Sequence, residues 1–405
     1  MPRRKALKKQ NNSKVIDRAY YFYFLIAFFP ILAPYYFVQH EFIGVIIDIW
    51  MCLSIAGLFS FALLHYKKIS KPILIVVATY ILLFIVTICN NGDVIAVIKH
   101  SIKVILLCCV IDILKNDKSK LNSLLYAIRD ITLGIFVINL LTCLVWKTGI
   151  PSITQNSEYP YHLYGNVNTT IRMILPGMLC SSLINREKGK KFNHISLIYL
   201  LGFVFIYFYV YPATTSLIAI AIITAWILLE NLFIKQLSNI YLLYILLIFA
   251  LELLIVIFPN EMFIKTITGL LNKSTDFTGR SWLWTNAMNL VKNNPIFGVG
   301  RQTISNIKST IGNMSGSHNY YLDILYQRGI VGFVLFLVLI LAPLWRMKTK
   351  KISAHRIYML VGYSMVLLTM FLSEPFFEYE CYFMPILYSL LIYTDEKRAK
   401  INAKK

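Results

Sequence analysis

Apolar runs of bilayer length recur along most of the chain, divided by short polar connections, and only one polar stretch between them is long. At roughly twenty residues per crossing the pattern predicts about twelve transmembrane spans. They fall near 19–39, 42–64, 72–90, 94–114, 123–146, 165–184, 195–211, 213–230, 240–258, 327–345, 356–373 and 377–393. Lipid offers backbone groups no water partners, so the spans are read as helices and the fold as an all-α polytopic membrane protein. The domain reading follows: a basic tail at 1–18, spans one to nine over 19–258, a large loop at 259–326, spans ten to twelve over 327–393, and a second basic tail at 394–405.

A net charge of +21 would suit a nucleic-acid partner if it were gathered on one face. Instead it follows the connections. Basic residues crowd the N-terminal tail (Arg3, Arg4, Lys5, Lys8, Lys9, Lys14, Arg18) and the alternate segments Lys67 to Lys71, Lys115 to Lys120, Arg186 to Lys191 and Arg346 to Arg356, together with the tail after Asp395. By the positive-inside rule these face the cytoplasm, both termini lie inside, and the large loop faces outward. No nucleic-acid partner is expected; the lipid bilayer is. The first apolar run, with Pro30 and Pro34, is full-length and lacks a small-residue cleavage pattern, so it is read as a retained span. All seven cysteines lie in or beside spans, which leaves the loop no disulfide or zinc framework.

Charges inside spans are costly and mark function or pairing. Lys99 and Lys103, four apart, share one face of span four. Two readings stand open: an internal ion pair, with Glu252 of span nine as the counter-charge, or a positive lining for an anionic head group. The outer connection Lys147 to Tyr164 carries Glu158, Tyr159, Tyr161 and His162, suited to stacking on sugar rings or to an ordinary interfacial loop. It leads into Gly165-Asn166-Val167-Asn168-Thr169-Thr170-Ile171-Arg172, where Asn and Thr can cap span six. A guanidinium at Arg172, roughly 10 Å along the helix from Gly165, would suit a diphosphate beside a positive helix end.

Polarity concentrates between Phe277 and Gly332. Arg280 opens an amphipathic pattern, with Trp282, Trp284, Met288 and Val291, that could lie on the membrane surface with its tryptophans as anchors. Asn293-Asn294-Pro295 ends it, Gly298-Val299-Gly300-Arg301 forms a flexible basic loop, and Ser317-His318-Asn319 is followed after nine residues by Gly329-Ile330-Val331-Gly332. Lysines and arginines outnumber carboxylates here, a field that favours an anionic substrate.

Pro-Ile-Phe-Gly-Val-Gly, His318-Asn319 with Gly329 and Gly332, an Arg at a helix start and one large late loop together resemble the O-antigen ligase and polymerase superfamily. The likeness covers about residues 277 to 345 well, and Gly165 to Arg172 more loosely. It implies a GT-C-like membrane glycosyltransferase of the bacterial cytoplasmic membrane with an extracytoplasmic active site. The implied reaction moves glycan from an undecaprenyl-diphosphate-linked oligosaccharide donor to an acceptor without a nucleotide sugar. His318 matches the family's loop histidine, Arg280 a loop arginine that holds the diphosphate, and Arg172, more loosely, its span arginine. Other polysaccharide-assembly proteins, a flippase and a chain-length regulator, are implied partners.

Chemistry independently suits these residues. A lipid diphosphate is a good leaving group that needs cations more than a proton donor, which Arg172 and Arg280 would supply with Arg301, Lys99 and Lys103 as auxiliaries. The acceptor hydroxyl is a poor nucleophile, and a neutral histidine, His318, can take its proton; His40 and His162 also lie outside. Asn319, Asn166 and Asn168 are candidates for substrate contacts. Direct displacement inverts the anomeric carbon. The acidic cluster Glu374, Glu378 and Glu380 matches no standard cation site, and no Walker or dinucleotide motif is present, so no metal or cofactor is expected. A repeat-unit polymerase is the leading expectation. A ligase of the same fold and a lipid-linked oligosaccharide flippase are the alternatives.

Overall fold

Helices start where polar residues punctuate the sequence. Asp17 accepts from the Ala19 amide at 3.1 Å, Asp117 from Lys120 at 3.1 Å, Asn166 from Thr169 at 2.9 Å and Asn193 from Ser196 at 3.0 Å, so each satisfies an amide that the first turn leaves open. The computed structural model describes residues 16–66, 70–154, 159–270, 277, 279–312, 316–349 and 354–393. The basic tails at 1–15 and 394–405, Lys67, Glu158, Lys273, Asp276 and 350–353 lie outside the described residues.

Among the described residues the structure is helical without a strand, and seven helices are long and apolar enough to cross a membrane. These are Glu41–His65, Lys71–Cys89, Val94–Leu114, Lys118–Val145, Val167–Glu187, Glu230–Ile257 and Tyr320–Trp345. Three further expected spans appear as the shorter apolar helices His194–Tyr209, Thr214–Leu228 and His355–Phe371. One expected span is corrected. The first is helical only over Arg18–Phe28 and again over Tyr35–Gln39, because Pro30 and Pro34 remove amide donors and clash with a continuous helix. The last is helical over its expected 377–393, a tight first turn at Phe377–Tyr379 passing directly into Glu380–Tyr393.

The residues fall into two compact units, 1–67 with 109–211 and 68–108 with 212–405. In the first, Val167–Glu187 is the central helix: 94% of its apolar window is buried, against 17% for Glu41–His65. That burial suits its composition. Thr169, Thr170, Arg172, Ser181, Ser182 and Asn185 would be costly in lipid and are enclosed by protein instead. Gly177 makes the enclosure tight, since a Cβ there would stand 1.8 Å from the Thr132 hydroxyl and 2.5 Å from that of Tyr199. Those two hydroxyls lie 2.9 Å apart.

In the second unit the core gathers around Tyr320, whose ring packs 4.7 Å from that of Phe371 and 5.2 Å from that of Phe383. Beneath it runs a fully buried charge network. Arg328 pairs with Glu380 at 2.5 Å, and Glu380 accepts from the Tyr80 and Tyr320 hydroxyls at 2.6 Å each. With Arg328 2% and Glu380 0% exposed, the pair is shielded from water and competes only with its own desolvation. Three helices, Lys71–Cys89, Tyr320–Thr349 and Glu380–Tyr393, are thereby joined at one carboxylate.

The polar stretch is folded, with a small core of its own. Leu283, Trp284 and Ala287 of the helix Arg280–Asn293 pack with Ile307, Ile311, Leu322, Tyr326 and Val256. This corrects the reading of Trp284 as an anchor. Trp284 is buried in that cluster, while Trp282, two residues and 200° away around the helix, is 51% exposed.

Candidate functional site

Tyr320–Thr349 is broken at Gly329, whose φ of 62° and ψ of −167° leave the helical region altogether. The break frees carbonyls behind it and amides ahead of it, and the segment 295–301 takes up both. Val299 and Gly300 donate to the Tyr326 and Gln327 carbonyls at 2.7 and 2.9 Å, while Ile330 and Val331 donate to Pro295 and Ile296 at 2.8 and 3.2 Å. Gly298 and Gly300 supply the positive φ of 72° and 70° that this course requires. The segment then crosses to the helix Lys71–Cys89, where the Arg301 amide donates to Thr87 Oγ1 at 2.9 Å and its carbonyl accepts from Asp93 at 2.7 Å. The flexible basic loop expected here is instead a fastened strap, because every one of those backbone groups has a partner. Gly332 serves the arginine beneath it, since a Cβ there would meet the Arg328 Cβ at 2.2 Å and crowd out its stem.

The strap fixes Arg301, which is 7% exposed and lays its guanidinium over the Phe377 ring at 4.1 Å. His100 meets the same ring edge-on at 4.8 Å. Lys99 and Lys103 stand on the same helix as His100, one residue before it and three after it, with Lys99 exposed and Lys103 half-buried. The ion-pair reading of the lysines is corrected, since Glu252 is bound elsewhere: Asn319 Nδ2 donates to its two carboxylate oxygens at 3.1 and 2.9 Å. Among the described residues no carboxylate lies within salt-bridge distance of Lys99, Lys103 or Arg301.

Arg280 begins its helix after Gly279, and its guanidinium lies 3.7 Å from Glu374. Glu374 and Glu380 are buried, at 2% and 0% exposure, and only Glu378 of the acidic cluster is solvated. Among the described residues no group of three or more His, Cys, Asp or Glu side chains could hold a metal ion.

His318 sits half-buried at a left-handed φ of 55°, between Ser317 and Asn319, which are both fully buried. Asp323 accepts from the Ser317 amide at 3.1 Å and hydroxyl at 2.7 Å. Asn319 caps the following helix by accepting from Leu322 at 3.0 Å, and its amide is committed to Glu252 and to the Leu372 carbonyl at 3.2 Å. With both ends of its side chain engaged, Asn319 is bound into the fold.

Arg172, Asn166 and Asn168 belong to the first unit. Arg172 is 5% exposed and donates from Nε to the Asn168 carbonyl and from Nη2 to Thr169 Oγ1, both at 3.2 Å. Asn166 is occupied as the helix cap. The aromatics of the preceding connection are spent on neighbours, Tyr159 edge-on to Tyr211 at 5.3 Å and Tyr161 5.8 Å from Tyr35. His162 is 2% exposed, and burial pushes its imidazole down from 6.5 to about 4.

The residues missed from the sequence are His100, Phe377, Thr87, Arg328 and Glu252 in its true pairing. Glu252, His100 and Arg328 carried a signal, as ionisable residues inside expected spans.

Helices of this length and polarity, with buried charge clusters inside them, define a multi-pass, all-helical membrane protein. Residues 196–337 match the family model described as O-Antigen ligase, which supports the resemblance to the O-antigen ligase and polymerase superfamily. That segment holds Arg280, Arg301, His318 and Asn319. A Haemophilus influenzae protein described as "Uncharacterized protein" is 29% identical over 96 residues, 21% of this chain and 24% of its own length. The chain thus spans about a quarter of that relative, whose description assigns no activity.

Proposed function

We propose that this protein is a polymerase that joins undecaprenyl-diphosphate-linked oligosaccharide repeat units into capsular, exopolysaccharide or O-antigen polysaccharide. The observation that carries the reading is the buried Arg301 held over Phe377 beside His100, whose helix also carries Lys99 and Lys103, in the same unit as the clamped His318 turn. The cations suit a diphosphate leaving group, and the ring offers an apolar face beside it. In the proposed step His318 takes the proton of the acceptor hydroxyl, whose oxygen bonds the anomeric carbon as the bond from that carbon to the diphosphate oxygen breaks. The polyprenyl diphosphate leaves as an anion against Arg280 and the cluster, and the configuration inverts. Arg172 enters the proposal on the sequence reading. The reaction is placed at the outer face of the cytoplasmic membrane, without metal or nucleotide.

A ligase is the second reading, favoured by the description of the matching family model. Purified protein supplied with lipid-diphosphate repeat units decides between them. A ladder of lengthened products is expected for a polymerase, a single product on a foreign acceptor would show ligation, and no new glycosidic bond would indicate a transporter. Full turnover by His318→Ala would remove the histidine from the mechanism.

A further inference from the structure

Glu252 is a carboxylate with 3% exposure in an otherwise apolar helix, and it lies at the point where that helix widens into a π turn over Leu253–Ile257. Such turns commonly accompany function. An apolar side chain would hold the helix without the cost of burying a charge-bearing group, so the carboxylate calls for a reason beyond packing.

Its contacts supply one. Both Glu252 oxygens accept from the Asn319 amide, whose nitrogen also donates to Leu372 while its oxygen accepts from Leu322. The plane of the Asn319 side chain is therefore fixed from three directions. On the other side of His318, Asp323 holds the Ser317 amide and hydroxyl. His318 is carried at its φ of 55° between two residues that cannot turn. Left-handed backbone at a residue other than glycine persists where its surroundings impose it, and here two carboxylates do so.

We propose that Glu252, acting through Asn319, is a positioning residue that sets the direction in which His318 is presented to the acceptor hydroxyl. The proposal rests on the reading of His318 as the base, and it adds a residue on the preceding span to that reading. The effect of Glu252 passes through the Asn319 amide.

The test uses the full chain with Glu252→Gln, Asn319→Asp and the two combined. Each single change is expected to lower kcat at least tenfold with the donor KM unchanged. The double variant is expected to recover part of the loss, because the new amide at 252 can donate to the new carboxylate at 319, which still caps Leu322 but no longer donates to the Leu372 carbonyl. Unchanged kcat in Glu252→Gln, or no recovery in the double variant, overturns the proposal. A second readout is independent of turnover: carbethoxylation of His318 by diethyl pyrocarbonate, followed by mass spectrometry with the exposed His40 as internal reference. Glu252→Gln is expected to change the His318 rate at least threefold while leaving that of His40 alone, and an unchanged rate overturns the proposal. Should Glu252→Gln fail to fold, Glu252→Asp keeps the acid, withdraws it by one methylene and carries the same expectations. If wild type forms no glycosidic bond the functional reading fails, and the modification rates still judge the clamp.

Discussion

Gly329 lies so close to Ile296 that a Cβ built on it would stand 2.2 Å from the Ile296 carbonyl oxygen. The helix break and the strap are two sides of one contact, and neither can move without the other. This relation gives the loop motif its physical meaning.

Gly329→Ala should lower the stability of the purified protein by about 2–4 kcal/mol, from backbone strain at φ 62° plus the collision with Ile296. Gly300→Ala should behave likewise, since a Cβ there would stand 2.5 Å from the Thr87 Cα. Gly134→Ala, with nothing within 4 Å, is the control and should leave the transition in place. Thermal unfolding in detergent measures all three.

Removing one partner of the buried Arg328–Glu380 pair leaves the other without compensation. Arg328→Met or Glu380→Leu should each cost about 3–5 kcal/mol, whereas the two combined should cost less than the sum. The double-mutant cycle, read from unfolding transitions, gives the coupling. Additive losses would show that the pair is not coupled.

Around Phe377 the cations should act on donor binding. Arg301→Gln and Lys103→Gln are each expected to lower kcat/KM for the lipid-diphosphate donor by about 10- to 100-fold, the range of a charge-assisted hydrogen bond of roughly 1.5–3 kcal/mol. Initial rates at two ionic strengths check this. Exposed Lys99 should show the smaller effect and the greater sensitivity to salt.

His162 makes stability depend on pH. Its folded-state value of about 4 lies below the ordinary 6.5, so between those values the unfolded chain binds a proton that the folded chain does not. Stability should therefore fall as the pH drops from about 6.5 toward 4 and level off below it. Unfolding temperatures at pH 7, 6 and 5 should show the decline, and His162→Phe should flatten it.

Local signals in the sequence are good guides to local structure. Arg280 does open a helix, Asn293 and Asn294 do close it, and Asn166 caps the span that carries Arg172. What fails needs partners far away in the chain. Glu252 is recognisable as an oddity, yet its partner is an amide 67 residues on rather than a lysine. Trp282 and Trp284 look alike as apolar positions, and only the packing of Ile307 and Ile311 distinguishes the exposed ring from the buried one. Gly329 stands out as a glycine in a motif, but a helix break becomes intelligible only once Pro295 and Ile296 stand ready to accept the freed amides. Pro30 and Pro34 carry their meaning openly, and they rule out the unbroken first span that hydropathy alone suggests.

The enclosed helix Val167–Glu187 bears on how the chain is made. It is the least apolar of the seven candidate spans and carries Arg172, so a translocon sampling it alone would have weak cause to release it into lipid. Its entry during synthesis must be assisted by a neighbour already in place, and Lys118–Val145, which packs along it, is synthesised just beforehand.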